Sequence, residues 1–183
     1  MKATGIVRRI DELGRVVIPK EIRRTLRIRE GDPLEIFTDR DGEVILKKYS
    51  PIGELSDFSK EYTESLYHSM GHVACICDKD TVVSVAGTGK RELLDKAISL
   101  QLEQLINERK KLAATKGAGF ISITQDEEES MKYHAQVIVP IITEGDAIGA
   151  VILLSKDEGV SMGEAEIKVA ETAAQFIGKQ MEQ

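Results

Sequence analysis

The strongest local structural signals of this chain lie in Asp11-Glu12-Leu13-Gly14-Arg15-Val16-Val17-Ile18-Pro19-Lys20-Glu21-Ile22-Arg23-Arg24-Thr25-Leu26. Gly14 marks a tight turn, and the β-branched residues at 16–18 favour a strand. Pro19 ends that strand and can open a helix, because its fixed φ suits the first helical turn and its missing N–H is not needed there. Ile22 and Leu26 then share one helical face. The stretch therefore predicts a strand, a break and a short helix that presents arginines.

The flanking sequence extends this stretch into a small module of about four short strands and one helix. Residues 4–10 alternate as a strand does, and Glu30-Gly31-Asp32 favours a turn. Residues 33–38 and 43–48 are predicted strands joined at Asp41-Gly42, a signal for a type I′ hairpin. A unit of about 50 residues without a disulfide buries only a marginal core. We therefore expect two copies to interleave and share one core as a homodimer.

The charge of the chain is divided between its two parts. Residues 1–50 hold 12 Lys and Arg against 9 Asp and Glu, a net charge of +3, whereas residues 51–183 hold 13 against 22, a net charge of −9. The first 29 residues alone carry nine basic and three acidic side chains, a net charge of +6. A basic head on an acidic body indicates that the head contacts a polyanion and the body does not.

The motif D-x-x-G-R-[VI]-x-[IL]-P-x-x-[IL]-R-x-x-L, read here from Asp11 to Leu26, resembles that of the AbrB-type swapped-hairpin DNA-binding domains of bacterial transition-state regulators. The resemblance implies an interleaved dimer over residues 1–50 that binds double-stranded DNA. It carries the DNA-contact role onto Arg8, Arg15, Arg23 and Arg24. Charge alone adds Lys2, Arg9, Lys20 and Arg27 as weaker candidates. The alternative for each is a solvated side chain or an ion pair with Asp11, Glu12 or Glu21.

Arginine suits this role because its planar fork binds a phosphate or a guanine edge through two hydrogen bonds. Each phosphate that is neutralised releases counterions, so the affinity depends on salt. No recognition helix of the helix-turn-helix type is visible in the sequence. We therefore expect readout of DNA shape and flexibility, on targets that are rich in A·T.

The rest of the chain predicts a second domain of helices and antiparallel strands, over residues 54–183, after a short linker at 51–53. Ser161 and Glu164 form the pattern of a capping box at the start of the last helix. The predicted helices are 54–70, 91–112 with a break near Ser99, and 161–181, and the predicted strands are 72–77, 81–85, 120–124, 136–142 and 147–154.

This order of elements resembles a GAF domain. Val139-Pro140-Ile141-Ile142, then Gly145, then Ile148-Gly149-Ala150-Val151 resemble its central hairpin. The fold class is therefore α+β in both domains. The resemblance implies a dimer contact through the terminal helices 54–70 and 161–181. Two separate dimer contacts in one chain favour a closed homotetramer.

GAF domains also bind small molecules, so one hypothesis is that the second domain binds a small ligand as a signal. The sequence does not indicate which side chains would line a pocket. The other hypothesis is that this domain only dimerises and binds no ligand.

Three groups of residues partly match a phosphate-binding loop, a zinc site and a catalytic site, but each lacks residues that the site requires. The loop at 87–90 lacks the first glycine and the final hydroxyl residue of a Walker phosphate-binding loop. His72, Cys75 and Cys77, with His68 or His134, lack the second cysteine pair that is typical of zinc sites. The acidic run at 126–129 has no nucleophile beside it. We predict no metal, no cofactor and no enzymatic activity.

The composition predicts a soluble, cytoplasmic protein. No window approaches the ~20 apolar residues of a membrane helix, and the start has no apolar segment typical of a signal peptide. Cys75 and Cys77 would share one face of a strand, which suits a disulfide poorly and indicates a reducing compartment.

The full chain resembles the sporulation regulators among these transition-state regulators. This resemblance implies that the protein regulates sporulation genes, as activator or repressor. The alternatives are an AbrB-like antitoxin and a protein-interaction module. An antitoxin tail is commonly short and disordered before binding, whereas about 130 residues here show strand and helix patterns.

Overall fold

The computed structural model describes residues 4–126 and 132–182, and the chain divides into two compact units between Tyr49 and Ser50. Unit 1 ends at Tyr49 and unit 2 begins at Ser50. Lys2 and most of the acidic run at 126–129 lie outside the described residues.

The described residues 4–49 of unit 1 contain one helix and one pair of strands. Helix α1 spans Lys20–Thr25 and follows Pro19 directly. Strands β1 (Leu34–Thr38) and β2 (Val44–Lys48) pair antiparallel, with Leu34 opposite Lys48 and Thr38 opposite Val44. The strands predicted at 4–10 and 16–18 are wrong for the single chain, since the described residues 4–18 form no strand. A strand needs a hydrogen-bonded neighbour, and these segments have none within one copy.

The hairpin between β1 and β2 differs from the predicted type I′ turn. A type I′ turn needs a positive φ at both central residues, and here Gly42 has a φ of 82° while Asp41 is not among the residues with positive φ. The loop instead spans residues 39–43, since the N–H of Asp39 donates to the carbonyl of Glu43 at 3.2 Å. The two-residue connection with positive φ at both positions occurs in unit 2, at Glu144 and Gly145.

Unit 1 has almost no core of its own. Pro19 is the single buried residue among its described residues 4–49. Large apolar side chains are exposed instead, including Val7 at 87%, Leu13 at 73%, Val17 at 71% and Ile36 at 67%. A unit that leaves this much apolar surface in water lacks the burial that stabilises a fold.

The described residues of unit 2 form helices α2 (Pro51–Glu54), α3 (Ser56–Met70), α4 (Lys90–Leu93), α5 (Leu100–Asn107) and α6 (Glu164–Gln180). Its strands are β3 (Val73–Asp78), β4 (Val82–Ala86), β5 (Leu112–Thr115), β6 (Ala135–Thr143) and β7 (Asp146–Ser155). They form a five-stranded antiparallel sheet with the order β4-β3-β7-β6-β5.

The two faces of the sheet have separate cores, because successive side chains of a strand point to opposite faces. Cys75 and Cys77 of β3 pack with Leu102 and Ile106 of α5. Ala74 and Ile76 pack on the other face, with side chains of α3 and α6. Unit 2 is therefore a three-layer arrangement with α3 and α6 on one side of the sheet and α5 on the other.

Five predicted elements of unit 2 are corrected by the structure. The predicted linker at 51–53 lies within α2, because Pro51 occupies the first helical position and the Ser50 hydroxyl accepts a hydrogen bond from the N–H of Gly53 at 3.0 Å. The helix predicted at 54–70 is interrupted at Leu55, between α2 and α3.

The other three corrections concern the middle and the end of the chain. The helix predicted at 91–112 is replaced by α4, α5 and the start of β5, and residues 120–124 contribute an isolated bridge rather than a strand. The helix predicted at 161–181 begins at Glu164, because Glu166 accepts a hydrogen bond from the N–H of Gly163 at 2.7 Å. The capping residue is therefore Glu166 and not Glu164.

No helix within residues 4–126 and 132–182 has the combination of length and apolar character that a membrane span requires.

Candidate nucleic-acid interface

The loop that carries Arg15 is held by the side chain of Asp11. Asp11 Oδ1 accepts hydrogen bonds from the N–H groups of Leu13 at 3.0 Å and of Arg15 at 2.8 Å. The backbone closes the same loop, since the N–H of Asp11 donates to the carbonyl of Arg15 and the N–H of Gly14 donates to the carbonyl of Asp11, both at 3.0 Å. Gly14, with a φ of 76°, takes the left-handed conformation that this turn requires.

The second oxygen of Asp11 holds the Arg15 side chain itself. Arg15 Nε donates to Asp11 Oδ2 at 2.9 Å, while 69% of the Arg15 side chain remains exposed. The hydrogen bond from the Arg15 N–H is the largest cause that keeps the pKa of Asp11 below its ordinary value; burial opposes it, and the Arg15 side chain and the Leu13 N–H add to it. The carboxylate is therefore charged and bound to Arg15 Nε at neutral pH.

The loop at 39–43 repeats the same arrangement without an arginine. Asp39 Oδ1 accepts from the N–H groups of Asp41 and Glu43, each at 3.0 Å, as Asp11 Oδ1 accepts from the residues two and four positions ahead of it. The sequence D-x-x-G precedes Arg15 in the first loop and Glu43 in the second. The two loops therefore share the same hydrogen bonds from the backbone to an aspartate, and they differ in the side chain that follows the glycine.

Helix α1 places Arg23 and Arg24 in its last turn. The helix ends in a left-handed residue, Arg27, with a φ of 53°. The N–H of Ile28 donates to the carbonyl of Arg23 at 2.7 Å, and the N–H of Arg27 donates to that of Arg24 at 3.3 Å. These are the two hydrogen bonds of a Schellman cap.

A network of charged groups fixes the chain beyond this cap. The Lys48 ammonium donates to the carbonyl of Arg27 at 2.9 Å and lies 3.2 Å from Asp32 Oδ2. Asp32 in turn accepts from the N–H of Arg29 at 2.8 Å. Burial acts to raise the pKa of Asp32, but the bonds from the Arg29 N–H and the Lys48 ammonium outweigh it and hold that pKa below its ordinary value.

The predicted contact residues are distributed over three segments of unit 1. Arg8 and Arg9 are exposed on the segment before the first loop, Lys20 is exposed at the start of α1, and Arg23 and Arg27 are half-buried. Arg8 also borders an apolar groove of about 350 Å³, which is lined by Ile6, Val16, Val17, Ile18, Pro19, Ile22, Leu26, Ile28 and Leu46. Basic side chains and an open apolar groove therefore occur together in this unit.

The sequence did not predict the roles of Asp11, Asp32 and Lys48. Asp11 was expected only as an ion-pair partner that competes with DNA for an arginine, whereas in the structure its carboxylate orders the loop. The repetition of D-x-x-G at 11–14 and 39–42 was the available signal, since a side chain that caps its own turn is common for aspartate.

The groups considered in unit 2 do not form a metal site among the described residues, where no three His, Cys, Asp or Glu side chains are placed to hold an ion. Cys75 and Cys77 are free and fully buried. Burial raises the pKa of Cys75 to about 12 and, with the charge of Asp78, raises that of Cys77 further. His72 Nε2 lies 4.0 Å from Glu166 at the start of α6, away from that core.

The outer face of α3 and α6 carries a cluster of aromatic rings. Phe58, Tyr62 and Phe176 have ring centroids 5.6–5.9 Å apart, and the Tyr62 and Phe176 rings are stacked. Phe176 is 42% exposed. The cluster therefore extends from the core of unit 2 to its surface.

Comparison with known proteins identifies relatives of both units. Residues 54–182 match a family described as stage V sporulation protein T C-terminal, transcription factor. Residues 7–54 match a family described as antidote-toxin recognition MazE, bacterial antitoxin. Stage V sporulation protein T of Bacillus subtilis is 56% identical over 183 residues, which is the whole of both chains. Transition state regulatory protein AbrB of the same organism is 62% identical over 63 residues, which cover 31% of this chain and 65% of AbrB.

Solved structures of low sequence identity share the fold of unit 2. The GAF domain of Thermosynechococcus elongatus PixJ matches 73% of this chain and 90% of its own at a TM-score of 0.55 and 16% identity. The cofactor-binding GAF domain of the nutrient sensor CodY from Clostridium difficile matches 71% and 92% at a TM-score of 0.53 and 16% identity. The predicted α+β class, with an AbrB-like first domain and a GAF-like second domain, is confirmed.

Proposed function

The chain belongs to the family of stage V sporulation protein T, and from this premise we propose that it regulates sporulation genes by binding double-stranded DNA through Arg8, Arg15, Arg23 and Arg24 of unit 1. Its effect is activation or repression according to the promoter. The proposal places the protein in the cytoplasm. It includes no catalytic step, metal or cofactor.

The observation that carries the proposed contact is the ordered Asp11–Arg15 loop, which helix α1 follows in the chain. Arg15 is exposed and already ordered by Asp11, and Arg23 and Arg24 follow within one short helix. Clustered guanidinium groups bind phosphates and guanine edges in pairs of hydrogen bonds. Lys2, Arg9, Lys20 and Arg27 add charge around them as weaker contacts.

A homodimer of unit 1 supplies the core that one copy lacks. The groove lined by Val17, Ile22, Leu26 and other apolar side chains is open in the single chain. The unpaired segments 4–10 and 16–18 have the alternating and β-branched sequences of strands. Interleaving two copies pairs these segments, buries the grooves together and doubles the arginine surface.

The aromatic cluster of α3 and α6 supports a second contact between copies. Phe176 exposes a large ring next to Phe58 and Tyr62, and exposed aromatic patches are typical of interfaces. One contact at unit 1 and another at unit 2 would join the chains as a closed homotetramer.

Unit 2 could in addition receive a small-molecule signal, as its GAF fold allows. The structure has an open cleft of about 310 Å³ at the end of β5, next to His134 and residues 158–161. A ligand bound there would regulate the protein by binding one of its two states more tightly than the other.

The antitoxin alternative is favoured by the match of residues 7–54 to an antitoxin family. The remaining chain weighs against it. An antitoxin tail that folds on its toxin has no core of its own, whereas residues 50–183 have two buried clusters on either side of a sheet.

The experiment that tests the proposal is a fluorescence-anisotropy titration of the full chain on A·T-rich and G·C-rich duplexes at several salt concentrations. The comparison is an Arg15→Ala, Arg23→Ala, Arg24→Ala variant with matched circular dichroism. We expect a steep salt dependence for the wild type and a salt slope lower by about one for each contact removed. Equal binding by both proteins would contradict the assigned contacts.

A further inference from the structure

We propose that Asp11 is a positioning residue for DNA recognition, which holds the Arg15 guanidinium by its Nε so that the two outer nitrogens are presented together to the DNA. This inference rests on the proposed DNA contact of Arg15. Asp11 is negatively charged, as DNA is, so its charge alone would predict that it weakens DNA binding.

The two oxygens of Asp11 have separate tasks. Oδ1 accepts the N–H groups of Leu13 and Arg15 and so shapes the loop. Oδ2 accepts Arg15 Nε at 2.9 Å and so orients the side chain. An arginine bound through Nε keeps the free edge of its planar fork, which is the geometry that engages a phosphate or a guanine through two parallel hydrogen bonds.

Ordering Arg15 before DNA arrives strengthens binding for an entropic reason. A long exposed side chain loses rotamer freedom when it is fixed at an interface, and that loss weakens binding. With Nε already bound to Asp11, much of this ordering is complete in the free protein. Arg24 lacks such a restraint, since its guanidinium has no hydrogen bond or ion pair among the described residues.

The loop at 39–43 provides a matched control within the same chain. Asp39 Oδ1 makes the equivalent backbone bonds, to the N–H groups of Asp41 and Glu43. Glu43 stands at the position that corresponds to Arg15. Asp→Asn at either loop therefore keeps the amide oxygen for the backbone bonds and removes one negative charge, but only at residue 11 does it remove the acceptor of an arginine.

The test compares DNA affinities of the full-length variants Asp11→Asn, Asp39→Asn, Arg15→Ala and the double variant Asp11→Asn with Arg15→Ala, on an A·T-rich duplex at fixed salt. We expect Asp11→Asn to weaken binding about three- to tenfold, the effect of ordering one long side chain. We expect Asp39→Asn to leave binding unchanged or slightly tighter, because it removes a like charge of the DNA. In the Arg15→Ala background, Asp11→Asn should have no further effect.

The outcomes separate this inference from the proposed function. If Arg15→Ala weakens binding but Asp11→Asn behaves as Asp39→Asn does, the positioning role is wrong while the contact stands. If Asp11→Asn weakens binding equally in both backgrounds, Asp11 acts on the loop and not through Arg15, which also overturns the inference. If Arg15→Ala binds as the wild type does, the proposed contact itself fails and the inference with it.

An NMR measurement on the wild type answers the same question without a variant of Asp11. With ¹⁵N-labelled arginine, the Hε proton of Arg15 should exchange with water more slowly than that of Arg24, because Arg15 Hε is hydrogen-bonded. Equal exchange of the two protons in the free protein would overturn the inference even if Asp11→Asn fails to fold.

Discussion

The Lys48 ammonium donates a hydrogen bond of 2.9 Å to the carbonyl oxygen of Arg27, so the last residue of β2 closes the end of helix α1. The same ammonium lies 3.2 Å from Asp32, and both side chains are largely withdrawn from solvent, at 24% and 16% exposure. The helix that carries Arg23 and Arg24 is thus fixed to the β1–β2 hairpin through the Lys48 side chain.

Lys48→Met should loosen unit 1, because it leaves the Arg27 carbonyl and the Asp32 carboxylate without this donor. We expect the free energy of local opening at residues 20–48 to fall by about 1–3 kcal/mol, the effect of losing a charged hydrogen bond in a partly buried site. Amide hydrogen exchange of the full chain measures it residue by residue. The control is Lys47→Met, which removes the same charge from an exposed lysine 4.7 Å from the Phe37 ring and should have an effect below about 1 kcal/mol.

The same ion pair makes unit 1 sensitive to acid. The pKa of Asp32 is lower in the folded chain than its ordinary value of 3.8, so the unfolded chain binds the proton more tightly. The stabilisation is therefore complete above about pH 3.8 and is lost as the pH falls through the folded pKa.

Comparison with Asp32→Asn isolates this contribution from the other carboxylates. At neutral pH the wild type should open less readily than the variant at residues 20–48, and the difference should shrink below pH 3.8. A difference that is constant with pH would show that the charge of Asp32 contributes nothing to folding. Amide exchange across a pH series, corrected for intrinsic rates, supplies the measurement.

Substitutions of Arg27 can distinguish its contribution to the stability of unit 1 from its contribution to DNA affinity. Its φ of 53° lies in the left-handed region, which is unfavourable for a residue with a Cβ by about 1–2 kcal/mol. Glycine relieves this strain but adds freedom to the unfolded chain, so we expect Arg27→Gly to stabilise unit 1 by about 0.5 kcal/mol. Arg27→Ala removes the same charge without the relief.

Both Arg27 variants should bind DNA with the same, lowered affinity if the side chain contacts DNA. Hydrogen exchange should nevertheless show a more stable unit 1 in Arg27→Gly than in Arg27→Ala, because only glycine relieves the strain at this position. If the affinity of Arg27→Gly equals that of the wild type, Arg27 is only a helix-terminating residue and is removed from the candidate contacts.

The sequence predicted the helices and strands that are determined by residues close to one another in the chain. Pro19 fixed the start of α1, and the apolar runs of β3, β6 and β7 predicted those strands within one residue at each end. The opposite faces of Cys75 and Ile76 follow from the period of a strand alone. These features depend on residues near one another in the chain.

The elements that the sequence predicted wrongly, or did not predict, depend on residues far away in the chain or on a second copy. Residues 4–10 have the pattern of a strand, but within one copy they pair with no strand of the described residues. Residues 120–124 are apolar and β-prone, yet only Thr124 forms a bridge, to Ile98. The role of Lys48 at the end of α1 joins residues 21 positions apart, and no local pattern indicates such a contact.

Phe176 provides the test of the proposed contact between unit 2 domains. Phe176→Glu places a charge in the exposed part of the aromatic cluster with Phe58 and Tyr62. Burying an unpaired charge at an interface is strongly unfavourable, so we expect the mass of the full chain by light scattering to fall from four copies to two. DNA affinity should fall as well, because two linked DNA-binding dimers raise the effective concentration of each other.

Leu100→Glu is the matched control for this substitution. Leu100 is 76% exposed at the first position of α5 and lies on the other side of the sheet from α3 and α6. It should retain the mass and the DNA affinity of the wild type. If Phe176→Glu also retains both, the aromatic cluster is not an interface, and the apolar groove of unit 1 must account for all of the assembly of this protein.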